Sequence, residues 1–410
     1  MAMQDTQLYQ QLLGLNGVWK VTAVALQVAE RRGEVRVECQ ESVWGCPKCH
    51  QPMQLVSYEE RRWRHLDSCQ FQTILVCRVP RVECQEHGSQ MVQVPWAEPY
   101  GRFTALFERL AIDVLRECSV EAASEILGIS WDEADGIKQR AVRRGLLRKQ
   151  ARPMKQLGVD EKAFGRGQDY VTLVAHIQPG QSATVQYVGD GRKQETLDAF
   201  WEKLTAEQRQ AVEAVGMDMW EPYRLSTQAH VPEAAIVHDP FHLLAHLNDA
   251  VDKVRRHEHR QLLQQGDQTL QGTKHWWLYG EENLPEKHRP SFDRLKTGQL
   301  KTSRAWSLKE MFRSFWGCAT SEEGREYFGY WYSWAIRSRL EPIKKVARSF
   351  KNHLDHIVTY FDHHLTNASL EGLNSKIQGL IKKAFGYRNR ERFKTDILFH
   401  CGGLDLYPAQ

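Results

Sequence analysis

Three carboxylates stand at positions from which they could bind divalent metal ions. Asp160 follows the apolar run 157–159 and Asp218 follows the apolar run 214–217, so we expect each at the C-terminal tip of a buried strand. Glu371 lies near the start of a strongly amphipathic segment, residues 368–394, that also carries several basic residues. Carboxylates brought together beside positive charges are typical of sites in which two divalent cations act on the phosphate backbone of a nucleic acid.

Two of these carboxylates have competitors nearby in the sequence. Glu161 adjoins Asp160, but Asp160 is preferred because Val159 points to the opposite face of the strand and belongs to the core. Asp239 ends a further strand-like run and competes with Asp218 for the second position. Because a single acidic residue in a chain of this size is usually a surface charge, the prediction depends on all three carboxylates and their order.

Two pairs of metal-binding side chains occur in the first hundred residues. Cys46 and Cys49 form a C-x-x-C knuckle, and Cys84 and His87 form a second pair with the same spacing. Such pairs favour one tetrahedral, structural Zn²⁺ ion, which would stabilise a strand-rich region that has little core of its own. The alternative is a set of reduced, buried cysteines. Three further cysteines are expected to fill apolar gaps, and two histidines are alternatives to His87: Cys39, Cys69, Cys77, His50 and His65.

A helix-turn-helix is expected within residues 119–144. Alanines at 122 and 123 allow two helices to cross closely, Gly128 permits the turn, and Ser130 can cap the second helix. Such a unit usually lays its second helix in the major groove of DNA. Here the second helix begins with acidic residues and becomes basic only later, so an ordinary pair of packed helices is the alternative.

Two basic stretches lie on either side of the strand-borne carboxylates in the sequence. Residues 136–155 hold eight Lys or Arg residues and no acidic one, and residues 382–394 hold a second group opposed only by Glu391. Basic stretches are often only solvated surface, but their combination with a carboxylate cluster favours contacts with phosphates. The predicted DNA-binding residues are Lys138, Arg140, Arg143, Arg144, Arg148, Lys376, Lys382, Lys383, Arg388 and Arg390.

The composition is that of an ordinary globular protein. The 410 residues suffice for two or three domains, 41% of them are hydrophobic, 26% are charged, and the net charge is only +4. No apolar run approaches the roughly 20 residues that a membrane span needs, and the first residues do not resemble a secretory signal. We therefore expect a cytoplasmic protein without a membrane partner.

The pattern along the chain predicts five segments. Residues 1–95 form the metal-binding region and residues 96–152 the helix-turn-helix. Residues 153–255 contain three strand-like runs followed by alternating helices and strands, which predicts a mixed α/β sheet. Residues 256–365 form a Trp-rich helical insertion, and residues 366–410 complete the core with its last helix. Most tryptophans of the insertion are expected in helix packing, while one or two could stack on DNA bases.

Taken together, these motifs resemble DDE transposases of the bacterial insertion-sequence family ISL3. The resemblance covers nearly the whole chain, including the zinc-ligand pairs and the helix-turn-helix. It rests further on Gly-Val-Asp-Glu at 158–161, Gly-Met-Asp-Met-Trp at 216–220, Asp-Pro-Phe-His at 239–242, Glu-Gly-Leu-Asn-Ser-Lys-Ile at 371–377 and Ala-Phe-Gly-Tyr-Arg-Asn at 384–389. Several motifs in this order are far more specific than any one of them.

The resemblance implies a chemistry and a set of partners. It implies an RNase H-like core in which Asp160, Asp218 and Glu371 bind two Mg²⁺ ions, with Mn²⁺ as a substitute, for DNA cleavage and strand transfer. Asp239 and His242 match an Asp-x-x-His motif that lies near the site in related transposases. The implied partners are double-stranded DNA, as terminal inverted repeats and target, and a second copy in a synaptic homodimer at the nucleoid. A repressor that no longer cuts DNA and an RNase H-like nuclease acting on branched DNA are the alternatives.

Overall fold

The chain divides into two compact units. The computed structural model describes residues 5–15, 17–41, 43–165, 169–178, 180–365 and 368–409. The first unit comprises Met1–Lys149, Lys383–Phe385 and Leu404–Gln410, and the second comprises Gln150–Lys382 and Gly386–Gly403. The chain therefore leaves the first unit twice and returns to it twice.

The first unit begins with a short helix and a six-stranded sheet. Its elements are α1 (Asp5–Leu12), β1 (Trp19–Gln27), β2 (Arg32–Cys39), β3 (Val43–Gly45), β4 (Pro52–Arg64), β5 (Gln72–Cys84) and β6 (Gly88–Met91). The strands lie in the order β1-β2-β5-β4-β3, and β6 pairs with β5. Leu75, Cys77 and Val79 alternate along β5 and are buried with Trp63 in the core of this sheet.

Three helices of the first unit follow the sheet: α2 (Ala105–Glu117), α3 (Val120–Leu127) and α4 (Trp131–Arg148). Gly128 ends α3 at a φ of 62°, a left-handed conformation that glycine adopts without steric cost. Ser130 caps α4 and forms a capping box with Glu133, which satisfies backbone N–H groups that the helix leaves unpaired. The predicted glycine turn and serine cap are therefore confirmed.

The last described residues of the chain cover the second half of α4. Arg144 of α4 donates hydrogen bonds to the backbone carbonyl of Leu406 and to the carboxylate of Glu108. Gly145 permits this close approach, because a Cβ atom at that position would lie 2.7 Å from Cβ of Leu404. Part of the basic half of α4 therefore serves packing within the first unit.

The second unit is built on a five-stranded mixed sheet. Its strands are β7 (Gln156–Ala163), β8 (Tyr170–His176), β9 (Thr184–Asp190), β10 (Ala214–Met217) and β11 (Ala235–His238), in the order β11-β10-β7-β8-β9. β7, β8 and β9 form an antiparallel meander, whereas β10 is parallel to both β7 and β11. The predicted mixed α/β sheet is confirmed.

The remaining elements of the second unit are helices. Those between the strands are α5 (Gln194–Trp201), α6 (Ala206–Gln210) and α7 (Glu221–His230), and α8 (Pro240–Gln264) follows β11. The helical region then contains α9 (Lys274–Leu278), α10 (Arg289–Lys296), α11 (Lys301–Arg313), α12 (Ser321–Arg337), α13 (Glu341–Asn352), α14 (Leu354–Val358) and α15 (Tyr360–His363). Helices α16 (Ala368–Lys383) and α17 (Arg390–Cys401) return to the sheet.

The two faces of this sheet have separate cores. On one face, Leu157 and Val159 of β7 pack with Trp201 of α5. On the other face, Leu373 and Ile377 of α16 are buried against the strands. The apolar stripe predicted along the last core helix is thus buried, and the polar residues between its members lie outside that stripe.

The helical region between α8 and α16 has its own aromatic core. Trp277, Trp306 and Trp331 are buried, and Trp276 and Trp316 pack against them from the side. Helix packing is therefore confirmed as the main role of these rings. The exception is Trp334 on α12, which is 58% exposed.

Two predicted boundaries meet different outcomes in the structure. The boundary at residue 256 falls inside α8, which continues from the sheet into the helical region without a break. The boundary at residue 366 lies outside the described residues. Among the helices that the structure describes, none is long and apolar enough to span a membrane.

Gly158 should be required for the packing of α16 on the sheet. A Cβ atom at this position would lie 2.5 Å from Cδ1 of Leu370 and 2.9 Å from Cδ1 of Ile177. Gly158→Ala should therefore lower the free energy of unfolding by roughly 1–3 kcal/mol, as measured by urea denaturation.

Gly379→Ala is the matched control for Gly158→Ala. Gly379 lies on the exposed side of α16, and none of the described atoms outside its own helix would come within 4 Å of an added Cβ atom. Its replacement should stabilise the protein by about 0.5–1 kcal/mol, because alanine is the better helix former. Equal stability of the two variants would contradict the packing described for α16.

Candidate active site

The strand register brings three aspartates to one edge of the sheet in the second unit. The C-terminal ends of β7, β10 and β11 meet at this edge because the strands are parallel. The pairing of Gly216 with Gly158, continued by two residues, sets Asp218 level with Asp160. The pairing between β10 and β11, continued by one residue, sets Asp239 level with Asp218. Side chains far apart in sequence therefore become neighbours.

Asp160 lies within β7 and not at its tip, so this part of the prediction is wrong. β7 continues to Ala163 because β8 pairs with it over that length. The pairing with β10, in contrast, stops at Gly158. β7 therefore extends beyond the end of β10. Asp160 lies in the part of β7 that pairs with β8 but not with β10, next to the C-terminal end of β10.

His242 on α8 joins the aspartates. Asp239 caps this helix by accepting a hydrogen bond from the backbone N–H of Phe241. Nε2 of His242, one turn further on, lies 3.0 Å from Oδ1 of Asp218 and 3.7 Å from Oδ2 of Asp239. One ligand atom from each of Asp160, Asp218 and His242 lies within 4.8 Å of the other two.

Helix α16 brings an amide and a carboxylate to the same side of the sheet. Asn374 donates a hydrogen bond to the Asp160 carboxylate, and its own side-chain oxygen is buried without a hydrogen-bond partner among the described residues. Glu371 lies one turn before Asn374, so the two side chains share a face of α16. Glu371 is exposed and lies outside the group formed by Asp160, Asp218 and His242.

The electrostatics of the cluster favour a bound cation. Burial raises the pKa of Asp218 to about 7; His242 opposes this shift, whereas Asp160, Glu161 and Asp239 increase it through their negative charge. A divalent cation would relieve this repulsion. Carboxylate oxygens with an imidazole nitrogen and a buried amide oxygen are donors that Mg²⁺ or Mn²⁺ accepts, so the residues fit such an ion.

The four predicted zinc ligands lie together in the first unit. Sγ of Cys49 lies 3.7 Å from Sγ of Cys84, and Nδ1 of His87 lies 3.5 Å from Sγ of Cys84 and 3.9 Å from Sγ of Cys46. These separations match the edges of a tetrahedron around Zn²⁺, about 3.8 Å for a Zn–S bond of about 2.3 Å. Hydrogen bonds from the backbone of Cys49 and Lys48 lower the pKa of Cys46 to about 6, which favours the thiolate that zinc requires.

The other cysteines and histidines of this region do not belong to the four-residue cluster. His65 is buried, and its Nδ1 lies 2.9 Å from Oγ1 of Thr104. Cys77 is buried in the sheet core as expected. Cys69 is exposed, so the expectation that it fills an apolar gap is wrong.

Two predicted DNA-binding residues belong to the interior of the first unit. Lys138 is buried, and its Nζ lies 3.8 Å from the carboxylate of Asp135. Arg144 is also buried and forms ion pairs with Glu98 and Glu108. Burial and pairing within the first unit therefore disfavour Lys138 and Arg144 as DNA contacts, and the predicted role of these two residues stays a prediction.

The other predicted basic residues differ in their exposure. Exposed side chains are those of Arg143, Arg148, Lys376, Lys382 and Arg388, and partly buried ones are those of Arg140, Lys383 and Arg390. Arg140 pairs with Glu108 and Arg390 pairs with Asp169. The exposed members keep their charge at the surface and stay predicted contacts to DNA.

Three residues beside the cluster were not predicted from the sequence to belong to the site. Lys162 follows Asp160 by two positions and so lies on the same face of β7, with Nζ 3.5 Å from the backbone carbonyl of Asn374. Lys162 could have been predicted from the two-residue period of a strand, which places it on the same face as Asp160. Asn374 could have been predicted from the helical period, which places it on the same face as Glu371. Arg192, which pairs with Glu161, comes from the turn after β9, and no local pattern marks it.

Three family models match the chain. One described as a transposase matches residues 157–397, one for the helix-turn-helix domain of transposase family ISL3 matches residues 92–142, and one for the zinc finger of transposases IS204, IS1001, IS1096 and IS1165 matches residues 42–87. The matches define a DNA-binding transposase with a zinc ribbon, a helix-turn-helix and a DDE domain. More specifically, because the first match covers more than half of the sequence, the chain belongs to the ISL3 family of transposases.

Individual transposases are similar over most of their length. The chain is 26% identical over 337 residues to the transposase for insertion sequence element IS1001 of Bordetella parapertussis, covering 81% of this chain and 82% of the relative. It is 26% identical over 353 residues to the transposase for insertion sequence element IS1557 of Mycobacterium tuberculosis, covering 80% and 79%. The similarity therefore extends well beyond any single domain.

Loss of one zinc ligand should empty the ribbon. Cys49→Ser should reduce bound zinc from about one ion per chain to nearly none and lower the Tm, because a tetrahedral structural site requires all four ligands. Inductively coupled plasma mass spectrometry measures the zinc content. Cys69→Ser is the control, since Cys69 is exposed and outside the cluster. Equal zinc in wild type and Cys49→Ser would contradict the assignment.

Divalent metal binding should tighten as the pH rises through neutrality. The pKa of Asp218 is raised to about 7, so below that pH a cation must displace its proton, whereas above it the carboxylate is ready. Titration calorimetry with Mn²⁺ should show affinity rising from about pH 6 and levelling above about pH 8. Asp218→Asn should bind more weakly and lose most of this dependence. A pH-independent wild-type affinity would contradict the prediction.

Proposed function

We propose that this transposase binds the terminal inverted repeats of an insertion sequence and catalyses metal-dependent strand cleavage and strand transfer. The observation that carries the proposal is the convergence of Asp160, Asp218 and His242 at the C-terminal edge of a mixed sheet. The helix that holds Glu371 is tied to the same cluster through Asn374. Acidic donors at a strand edge suit a divalent cation that acts on a phosphodiester.

We assign the second unit to the RNase H-like fold. The support is an antiparallel meander, β7 to β9, extended by the parallel strands β10 and β11, with helices packed on both faces. The helical region then interrupts the core between β11 and α16, as the resemblance to DDE transposases implies. The five-segment division remains part of this proposal, with its third boundary placed inside α8.

We assign the metal-binding role to Asp160, Asp218 and Glu371. Asp239 is the weaker candidate for the second position, because it is buried and one of its oxygens already caps α8. Glu371 can join from α16, whose face it shares with Asn374. The remaining residue of the cluster, His242, would hold Asp218 in position.

Two Mg²⁺ ions, with Mn²⁺ as a substitute, would activate water or a 3′-hydroxyl and stabilise the leaving oxygen. The protein's own contribution is orientation and charge. Asn374 fixes the Asp160 carboxylate by a hydrogen bond, and His242 holds Asp218 through its 3.0 Å contact. Lys162 adds a positive charge on the face of β7 that carries Asp160, where it can offset the charge of an incoming phosphate.

DNA recognition is proposed for the first unit. The zinc ribbon and the helix-turn-helix are both modules that commonly bind duplex DNA. Strand transfer of an element requires that both of its ends be held together, so we propose a homodimer as the synaptic assembly, acting at the nucleoid. The repressor alternative is less well supported, because a protein that only binds DNA has no need of the acidic cluster.

Cleavage should depend on the three assigned carboxylates. In a nicking assay with Mg²⁺ and a supercoiled plasmid that carries the element's ends, Asp160→Ala, Asp218→Ala and Glu371→Ala should each lower the rate more than about 100-fold, since each removes a metal ligand. Asp239→Ala should retain part of the activity, because its role is to cap α8 and support His242.

Asp293→Ala is the matched control for these substitutions. Asp293 is an exposed aspartate on α10 in the helical region, so its loss should leave cleavage unchanged. An inactive Asp239→Ala beside an active Asp218→Ala would reverse the assignment of the second carboxylate. Wild-type protein that binds the ends but never cuts them would support the repressor alternative.

A further inference from the structure

Arg192 is held near the acidic cluster by two aromatic rings and one carboxylate. Its guanidinium carbon lies 4.5 Å from the ring centroid of Tyr170 and 4.6 Å from that of Trp220. One terminal nitrogen donates a hydrogen bond to the Glu161 carboxylate over 3.1 Å. The rings hold the guanidinium while 26% of the side chain stays exposed to solvent.

The backbone places Arg192 at the same edge of the sheet as the aspartates. β9 is antiparallel to β8, which is antiparallel to β7, so β9 ends at the edge where β7 ends. Gly191, with a φ of 80°, turns the chain directly after β9. The indole N–H of Trp220, two residues after Asp218, donates a hydrogen bond to the backbone carbonyl of Arg192 over 2.8 Å. The turn is therefore anchored to the segment that carries Asp218.

The hydrogen bonds of Arg192 leave donors for a ligand. A guanidinium has five N–H donors, and the described residues accept one hydrogen bond from this side chain, at Glu161. Arg144 of the first unit shows the contrasting structural pattern, because it is buried with two carboxylates and one carbonyl as acceptors. The guanidinium plane of Arg192 is held in place, the side chain is partly exposed to solvent, and several of its N–H groups remain available as donors. These three properties suit recognition of a phosphate.

Glu161 is the partner that a phosphate would have to replace. It lies on the opposite face of β7 from Asp160, as the alternation of a strand requires. It is nevertheless close enough to Asp218 to contribute to the raised pKa of that residue. The ion pair with Arg192 therefore offsets one negative charge at this edge of the sheet.

We propose that Arg192 binds a phosphate of the transposon-end DNA beside the position of cleavage, exchanging Glu161 for phosphate oxygens when the DNA enters. The inference rests on the proposed function, since it presumes that DNA approaches this edge of the sheet. Tyr170 and Trp220 would act as positioning residues that keep the guanidinium in place through the exchange. A purely structural clamp on the turn after β9 is the competing explanation.

The test pairs protein variants with DNA in which single phosphates are made neutral. Terminal-repeat duplexes would carry one methylphosphonate at the cleavage position or at a flanking position, and binding would be measured without added magnesium. Wild type should lose about 10-fold to 100-fold in affinity at one position, as expected for a charge-assisted contact. Arg192→Gln should show a similar loss on the natural duplex and no further loss from that methylphosphonate.

Two further variants complete the design. Arg325→Gln is the matched control, because Arg325 lies in the helical region and pairs with one carboxylate, that of Asp355. Among the described residues, no aromatic ring holds its guanidinium. This variant should keep the full methylphosphonate effect. Glu161→Gln provides an independent test if Arg192→Gln does not fold. Because the competing carboxylate is removed, this variant should bind the natural duplex with higher affinity. The gain in affinity should vanish on the duplex with the same methylphosphonate.

The outcomes separate this inference from the proposed function. Independent effects would multiply: the fold-loss in affinity of Arg192→Gln on methylphosphonate DNA would then be the product of the two separate fold-losses. If this is found at every methylphosphonate position, Arg192 does not contact a phosphate and the inference is overturned. Because binding is measured without cleavage, position-specific coupling in a protein that never cuts would contradict the proposed function alone. Cleavage without such coupling would contradict the role of Arg192 alone.

Discussion

The parallel pairing of β10 with β7 and β11 is the constraint on which the rest of the second unit depends. It sets Asp160, Asp218 and Asp239 side by side at one edge, although nearly eighty residues separate the first from the last. Burial raises the pKa of Asp218, and the negative charges of Asp160 and Asp239 beside it raise that pKa further. His242 offsets part of the repulsion and a divalent cation would offset the remainder, so the repulsion among these carboxylates itself favours metal binding.

The surrounding elements hold this edge in shape. Gly158 lets α16 approach the sheet closely enough for Asn374 to bond Asp160, and α8 begins at the capping residue Asp239 and carries His242. The helical region supports α8 through an aromatic core that is separate from both cores of the sheet. In the first unit, by contrast, the buried side chain of Arg144 forms ion pairs with Glu98 and Glu108 and so serves packing. For the zinc ribbon in that unit, we expect metal ligation to supply part of the stability.

Local patterns predicted the elements well but could not predict how distant elements pair. Period-two runs identified the strands, and Gly128 with Ser130 identified the turn between α3 and α4, because these signals lie within a few residues. Strand register depends on partners far along the chain. The sequence therefore did not predict that β7 would continue past Asp160 without β10 beside it. The burial of Arg144 depends on acids 46 and 36 residues away. A basic stretch in the sequence therefore could not be separated into surface and interior charges.

Anomalous diffraction from crystals soaked in Mn²⁺ would examine the acidic edge most directly. We expect a peak about 2.2 Å from a carboxylate oxygen of both Asp160 and Asp218, with Glu371 drawn toward the site when a second ion binds. Diffraction above and below the manganese absorption edge would distinguish the ion from water. A manganese peak elsewhere in the second unit, with these two aspartates free of metal, would contradict the proposed metal centre.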